Sequence, residues 1–331
     1  MPPLPPLKDF LEALQQCVMP GAGAAALVTA LFLCAGRWAA ALGSAVAVVV
    51  AFMWGNFTLA HLADKDPQPT WENTSRLLLW KPGETDPGFQ WLPRAALVLL
   101  VVGLLSRWLG TAMSRVLPEG RWWAANLLVW FPRVVAVVVV SAWLVLGHAA
   151  SAPEWAHLRW ELAALMLFMW LVLDGLAREG LGGEVSAHLT AILYAASVVL
   201  LYSHNAKFME LAVLVGSAMF GTAVAVCAVP TATGAAKIAA SGAIPAAVVF
   251  LPGLILGTRP AHDENKVPAL CFWLIALTPL VLAPFLVPRI SRRNHWLLIG
   301  LRVLLVLAPL AVAVLYAGQY EKFPFEEEPQ W

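Results

Sequence analysis

The chain has 331 residues, 60% hydrophobic and only 12% charged, with a mean hydropathy of +0.75 and a formal net charge of +1. An ordinary soluble domain is about 45–50% apolar and about 25% charged, so a soluble fold of this length has no way to hide so much apolar surface. The near-neutral charge, with basic residues scattered singly or in small groups, excludes nucleic acid as a partner.

One helical crossing of a bilayer uses about 20 mostly apolar residues, so ten crossings take about 200 and leave about 130 for loops and tails. The expected fold is therefore an all-α integral membrane protein, a polytopic bundle of about ten transmembrane helices, nine to eleven depending on how neighbouring runs divide. The expected organisation is a tail with a short interfacial helix over 1–18, one transmembrane domain over 19–317, and an acidic tail over 318–331.

The N-terminus has no basic stretch followed by an apolar core, so the first span is expected to act as the insertion signal. After Pro2, Pro3, Pro5 and Pro6, the segment from Leu7 to Val18 sets Leu7, Phe10, Leu11, Leu14 and Val18 on one face, opposite Lys8, Asp9, Glu12, Gln15 and Gln16. That spacing predicts the interfacial helix. Apolar runs then cover 19–36, 38–60, 93–113, 124–147, 158–177, 187–203, 208–229, 235–257, 268–287 and 296–317. Many of the 16 tryptophans, among them Trp38, Trp108, Trp122, Trp160 and Trp296, fall near run ends, where an amphipathic ring anchors at the interface. Prolines 245, 252, 279, 284 and 309 fall inside runs and predict kinked helices in the C-terminal half.

The connections after the first, third, fifth, seventh and ninth runs carry dense basic groups in short loops, including Arg115, Arg121, Arg178, Arg289, Arg292 and Arg293. The positive-inside rule puts those loops in the cytoplasm and both termini outside, and the plasma membrane is the expected location. The single long loop, 61–92, mixes Trp71, Trp80, Phe89 and Trp91 with charges and reads as a connector resting on headgroups. No inverted repeat is evident, since loop lengths and charge positions differ between the halves.

Arg133 and Arg302 are the basic residues well inside the runs, and intramembrane charge marks function by default. They stand about 14 Å and about 9 Å from the predicted starts of their helices. Because helical side chains lean toward the N-terminus, both can snorkel back to cytoplasmic headgroups, which is the plain expectation. The sharper expectation is an Arg133–Asp174 pair between adjacent spans, fixing the bundle or lining a polar cavity. Tyr202 and His204 complete the candidate binding set, because the run 187–203 and its exit also carry His188, Tyr194, Ser197 and Asn205 and form the most polar span.

Glu154, His157 and Glu161 have the spacing of half a carboxylate-bridged metal site, but Ser151 and Glu154 fit a helix-capping box better, and no second Glu-x-x-His exists. Cys17, Cys34, Cys227 and Cys271 have neither disulfide nor metal spacing. No metal, cofactor or catalytic residue is expected. Ser217, Gly221 and Ala225, and then Ala235, Ala239, Ala243 and Ala247, form small-residue stripes that predict close packing of the seventh and eighth spans against each other or a neighbour.

The leading functional expectation is a transporter-like or channel-like protein for a small solute or ion. A non-catalytic membrane subunit or scaffold is the alternative, and an enzyme on lipid-linked substrates ranks third. The expected partners are the bilayer and a further membrane protein or a second copy of the chain.

Overall fold

A computed structural model of the chain describes residues 7–63, 91–116, 122–149, 155–203, 205–229, 235–256, 267–287 and 295–320. These residues form α1 Leu7–Cys34, α2 Arg37–Ala63, α3 Trp91–Val116, α4 Trp122–Ala149, α5 Trp155–Leu176, α6 Gly182–Tyr202, α7 Ala206–Ala228, α8 Ala235–Leu256, α9 Ala269–Leu277 and α10 His295–Tyr320. A π-helical turn, Ala177–Leu181, joins α5 to α6, and a 3-10 segment, Thr278–Leu286, extends α9. Six segments among the described residues are long and apolar enough to cross a membrane: Leu92–Met113, Asn126–Val145, His157–Tyr202, Phe208–Ala228, Ala269–Leu286 and Trp296–Tyr320. Shorter apolar helices cover Val18–Cys34, Ala39–Gly55 and Ile238–Leu254.

Helix α8 is the axis of the bundle. It packs against α2, α3, α5, α6 and α7, while α1, α4 and α10 lie outside that ring. Its sequence explains the position, because it is apolar all round and therefore needs burial all round. Every residue from Ala239 to Leu254 is buried. The outer helices carry exposed apolar side chains such as Leu127 and Phe131 on α4 and Leu297 and Leu315 on α10.

Small residues let the inner helices touch backbone to backbone. A Cβ at Gly221 of α7 would collide with the Ala22 carbonyl of α1, and one at Gly242 of α8 would collide with the Ala41 carbonyl of α2. The stripe on α7 thus meets α1, with Ser217, Gly221 and Ala225 all buried. Ala235, Ala239, Ala243 and Ala247 of α8 are buried too, and Ala225, Ala235 and Ala239 share a cluster with Leu33 and Ala40.

Two local features differ from the sequence expectation. The interfacial segment and the first span form one helix, Leu7–Cys34, which passes through Pro20. A single proline removes only one intrahelical donor and, with flanking residues helical, need not end the helix. The run 268–287 changes from α to 3-10 geometry at Thr278. Pro279 and Pro284 deny donors to carbonyls one turn earlier, and a tighter helix is a common way to absorb that loss.

Candidate functional site

Among the described residues, the buried charged side chains other than Arg94, in the first turn of α3, gather at one end of the bundle. Helices α1 and α2 turn sharply at Gly36, whose φ of 112° is open to glycine without strain. Close to that turn, Ser44 of α2 donates to the Ala239 carbonyl near the start of α8. Ser241, half a turn further along α8, accepts from Arg107 of α3 and donates to the Ile238 carbonyl. Next to Arg107, Ser106 accepts from Arg133 Nε of α4 at 2.9 Å and donates to the Gly103 carbonyl at 3.0 Å. Arg133 Nη1 then reaches Asp174 Oδ2 near the end of α5 at 2.8 Å. The same oxygen accepts from Arg178 at 2.8 Å.

Arg133 and Asp174 are each 2% exposed, so this is an ion pair sealed from solvent. Such a pair is held by geometry and by hydrogen bonds that occupy the remaining polar atoms. Here Ser106 takes Nε, and the indoles of Trp130 and Trp170 lie 5.0 and 4.9 Å from the guanidinium carbon. Those ring faces are favourable surfaces for a delocalised cation. Snorkelling is therefore not what Arg133 does. Its side chain leans toward the helix start, as helix geometry dictates, and meets Asp174 rather than headgroups.

A second ionic contact lies across the α5–α6 turn. Glu184, in the first turn of α6, accepts from Arg302 of α10, whose guanidinium also stacks 5.1 Å from the Phe285 ring. Arg302 is 2% exposed, so its snorkelling expectation is corrected as well. His188, one turn beyond Glu184, is buried near both charges. Between the two ionic contacts, Gly180 takes φ 99°, which breaks the helical path and lets α5 and α6 diverge around α8.

The other sequence candidates do not join this group. Tyr202 lies at the far end of α6, eighteen residues beyond Glu184 and hence about 27 Å away along the axis. His204 falls outside the described residues, as do Glu154, most of the loop 61–92 and the tail from 321. His157 and Glu161 are exposed on α5. Tyr194 and Ser217 hold α6 to α7 through a 3.3 Å hydroxyl contact.

Sequence reasoning missed Ser106, Arg107, Ser241 and Glu184 as members of the group. The signal for Ser106 and Arg107 was a Ser-Arg step inside an otherwise apolar run. For Glu184 it was the glycine-rich stretch Gly180–Gly183, which marks a break that an acid immediately follows.

Beside Arg107 a groove of about 570 Å³ opens between α2, α3 and α8. Ala41, Leu42, Leu104, Leu105 and Trp108 supply most of its apolar wall. The described residues thus form an all-helical bundle with several helices of membrane-crossing length and, at one end, ionic contacts centred on the buried Arg133–Asp174 pair. No protein-family model, curated protein or solved structure significantly matches the chain.

Proposed function

We propose that the chain is a multi-pass integral membrane protein of the plasma membrane with about ten spans, which moves a small solute or ion. The shorter runs Val18–Cys34, Ala39–Gly55 and Ile238–Leu254 reach the lower limit of about 17 residues for one crossing, which supports counting them beside the longer ones. In this reading the arginine-rich end faces the cytoplasm and both termini face outward.

The observation that carries transport is the turn at Gly180, flanked by the buried Arg133–Asp174 contact and the part-buried Arg302–Glu184 contact, made to different helices. Asp174 ties one side of the break to α4, and Glu184 ties the other to α10. Charged groups on both sides of a turn between two spans stand at the cytoplasmic mouth of the bundle, where they attract an ion or solute of opposite sign. Arg133 and Arg178 bonded to Asp174, with Arg107 in the same field, leave a positive excess that favours a small anion.

The test is flux in proteoliposomes under an imposed potential, with chloride, nitrate, phosphate and acetate each offered. Uptake above protein-free vesicles, altered by Asp174→Asn in folded protein, supports the reading. Absence of flux for the whole set with correctly folded protein removes it. The second reading, a non-catalytic subunit, draws on the sealed Arg133–Asp174 pair and the fully buried α8, which suit a rigid scaffold. It gains if flux is absent and the protein leaves native membranes in fixed stoichiometry with another.

Orientation has its own test. Cys34, exposed beside the α1–α2 turn, is expected to escape a membrane-impermeant maleimide in intact cells and to react once they are permeabilised, with Cys17→Ser and Cys227→Ser removing other sites. Equal labelling before and after permeabilisation would reverse the orientation.

A further inference from the structure

We propose that the groove between α2, α3 and α8 binds one anionic phospholipid, with its phosphate at Arg107 and an acyl chain along Leu42, Leu104 and Leu105. This stands whether or not the bundle moves a solute. The volume, about 570 Å³, falls within the range of about 300–1,000 Å³ typical of ligand sites. Leu42, Leu105 and Trp108 are exposed, so the groove opens on the apolar flank of the bundle rather than into its centre. An occupant must be apolar over most of its length and charged at one point.

That point is Arg107. Helix α3 runs toward the arginine-rich end, so its side chains lean back toward the middle of the bundle. Arg107 therefore does not snorkel outward, and Ser241 holds its guanidinium at the groove. A counter-charge has to come to it. The nearby carboxylate, Asp174, already accepts from Arg133 and Arg178. Arg107 lies within the field of all three groups, two of them repelling and one attracting. The balance at the groove is positive among the described residues, which selects an anionic headgroup, and a planar guanidinium suits a phosphate. The leucine-lined wall selects a lipid over a soluble anion.

Native mass spectrometry of delipidated protein, titrated with dioleoyl phosphatidylglycerol or dioleoyl phosphatidylcholine, reads the site directly. One phosphatidylglycerol per chain is expected, held about tenfold more tightly than phosphatidylcholine, whose phosphate brings its own choline cation into the same positive field. Arg107→Gln should bring the two lipids level. Leu105→Trp, which fills the groove from an exposed position and spares the arginines, should weaken phosphatidylglycerol binding by a similar factor.

Equal retention of both lipids in the unmodified protein overturns the proposal. So does a preference that survives Arg107→Gln, or displacement of phosphatidylglycerol by inorganic phosphate alone, which would make the site one for a soluble anion. If Arg107→Gln does not fold, Leu105→Trp decides, and unchanged phosphatidylglycerol binding in that variant is equally fatal.

Discussion

Truncating Asp174 to alanine is expected to destabilise the bundle by about 3–5 kcal/mol, the cost of leaving a buried charge without its partner. Arg133 would keep Ser106 and the two indoles but lose the carboxylate that neutralises it. Water has little access to the position, since both side chains of the pair are 3% exposed. Arg178, half-exposed, can turn to solvent and loses far less. The measurement is the midpoint of thermal unfolding in mild detergent, followed by fluorescence-detected gel filtration.

The double variant Arg133→Met with Asp174→Leu separates charge from packing. It removes both ions together and is expected to recover most of the loss, because a buried pair replaced by apolar groups of similar volume is often neutral. If Asp174→Ala melts within a degree or two of the parent, or the double variant is as unstable as the single one, the ionic contact does not hold α4 to α5 in the way its geometry implies.

That pair was within reach of the sequence because its determinants are local. Arg133 and Asp174 lie on consecutive spans at similar depth, and adjacent antiparallel helices tend to pack together. The helices themselves were legible for the same reason: the run 93–113 falls within Trp91–Val116, and the run 208–229 agrees with Ala206–Ala228 to within two residues at each end. A span must satisfy its own backbone, so its signal sits in its own residues. Arg302 and Glu184 were not paired, because α6 and α10 are separated by α7, α8 and α9 and no spacing rule links them. That Tyr202 stands apart from this group was hidden for a related reason. Polarity along one helix reveals how much polar surface it has, but not that Glu184 and Tyr202 stand at opposite ends of it. The small-residue stripes named the right helices, yet Gly242, where α8 meets the α2 backbone, lies between Ala239 and Ala243 and outside the four-residue register. The partner helix decided which position had to be glycine.

Gly242 gives the second large expected effect. A Cβ there would overlap the Ala41 carbonyl oxygen of α2 and crowd the Ser44 hydroxyl. A clash with a flexible side chain can be relieved by a rotamer change, but neither a Cβ nor a backbone carbonyl has a rotamer. In Gly242→Ala the helices must separate, and the Ser44 bond to the Ala239 carbonyl stretches with them. The expected loss is about 3 kcal/mol, at the upper end of overpacking costs because backbone rather than side chain must move. Gly242→Val should reduce folded yield further.

Helix propensity works in the opposite direction, since alanine is favoured over glycine in a helix by about 1 kcal/mol. Gly23 of α1 and Gly300 of α10 isolate that contribution, because a Cβ at either meets nothing within 4 Å. Gly23→Ala and Gly300→Ala are therefore expected to melt at or slightly above the parent temperature, and Gly242→Ala well below it. Were all three to shift upward together, propensity would dominate and the α2–α8 contact would have to be looser than the close approach described here. A drop confined to Gly242→Ala would instead locate the constraint where Gly242 lies against the Ala41 carbonyl of α2, close to the Ser241 hydroxyl that holds Arg107.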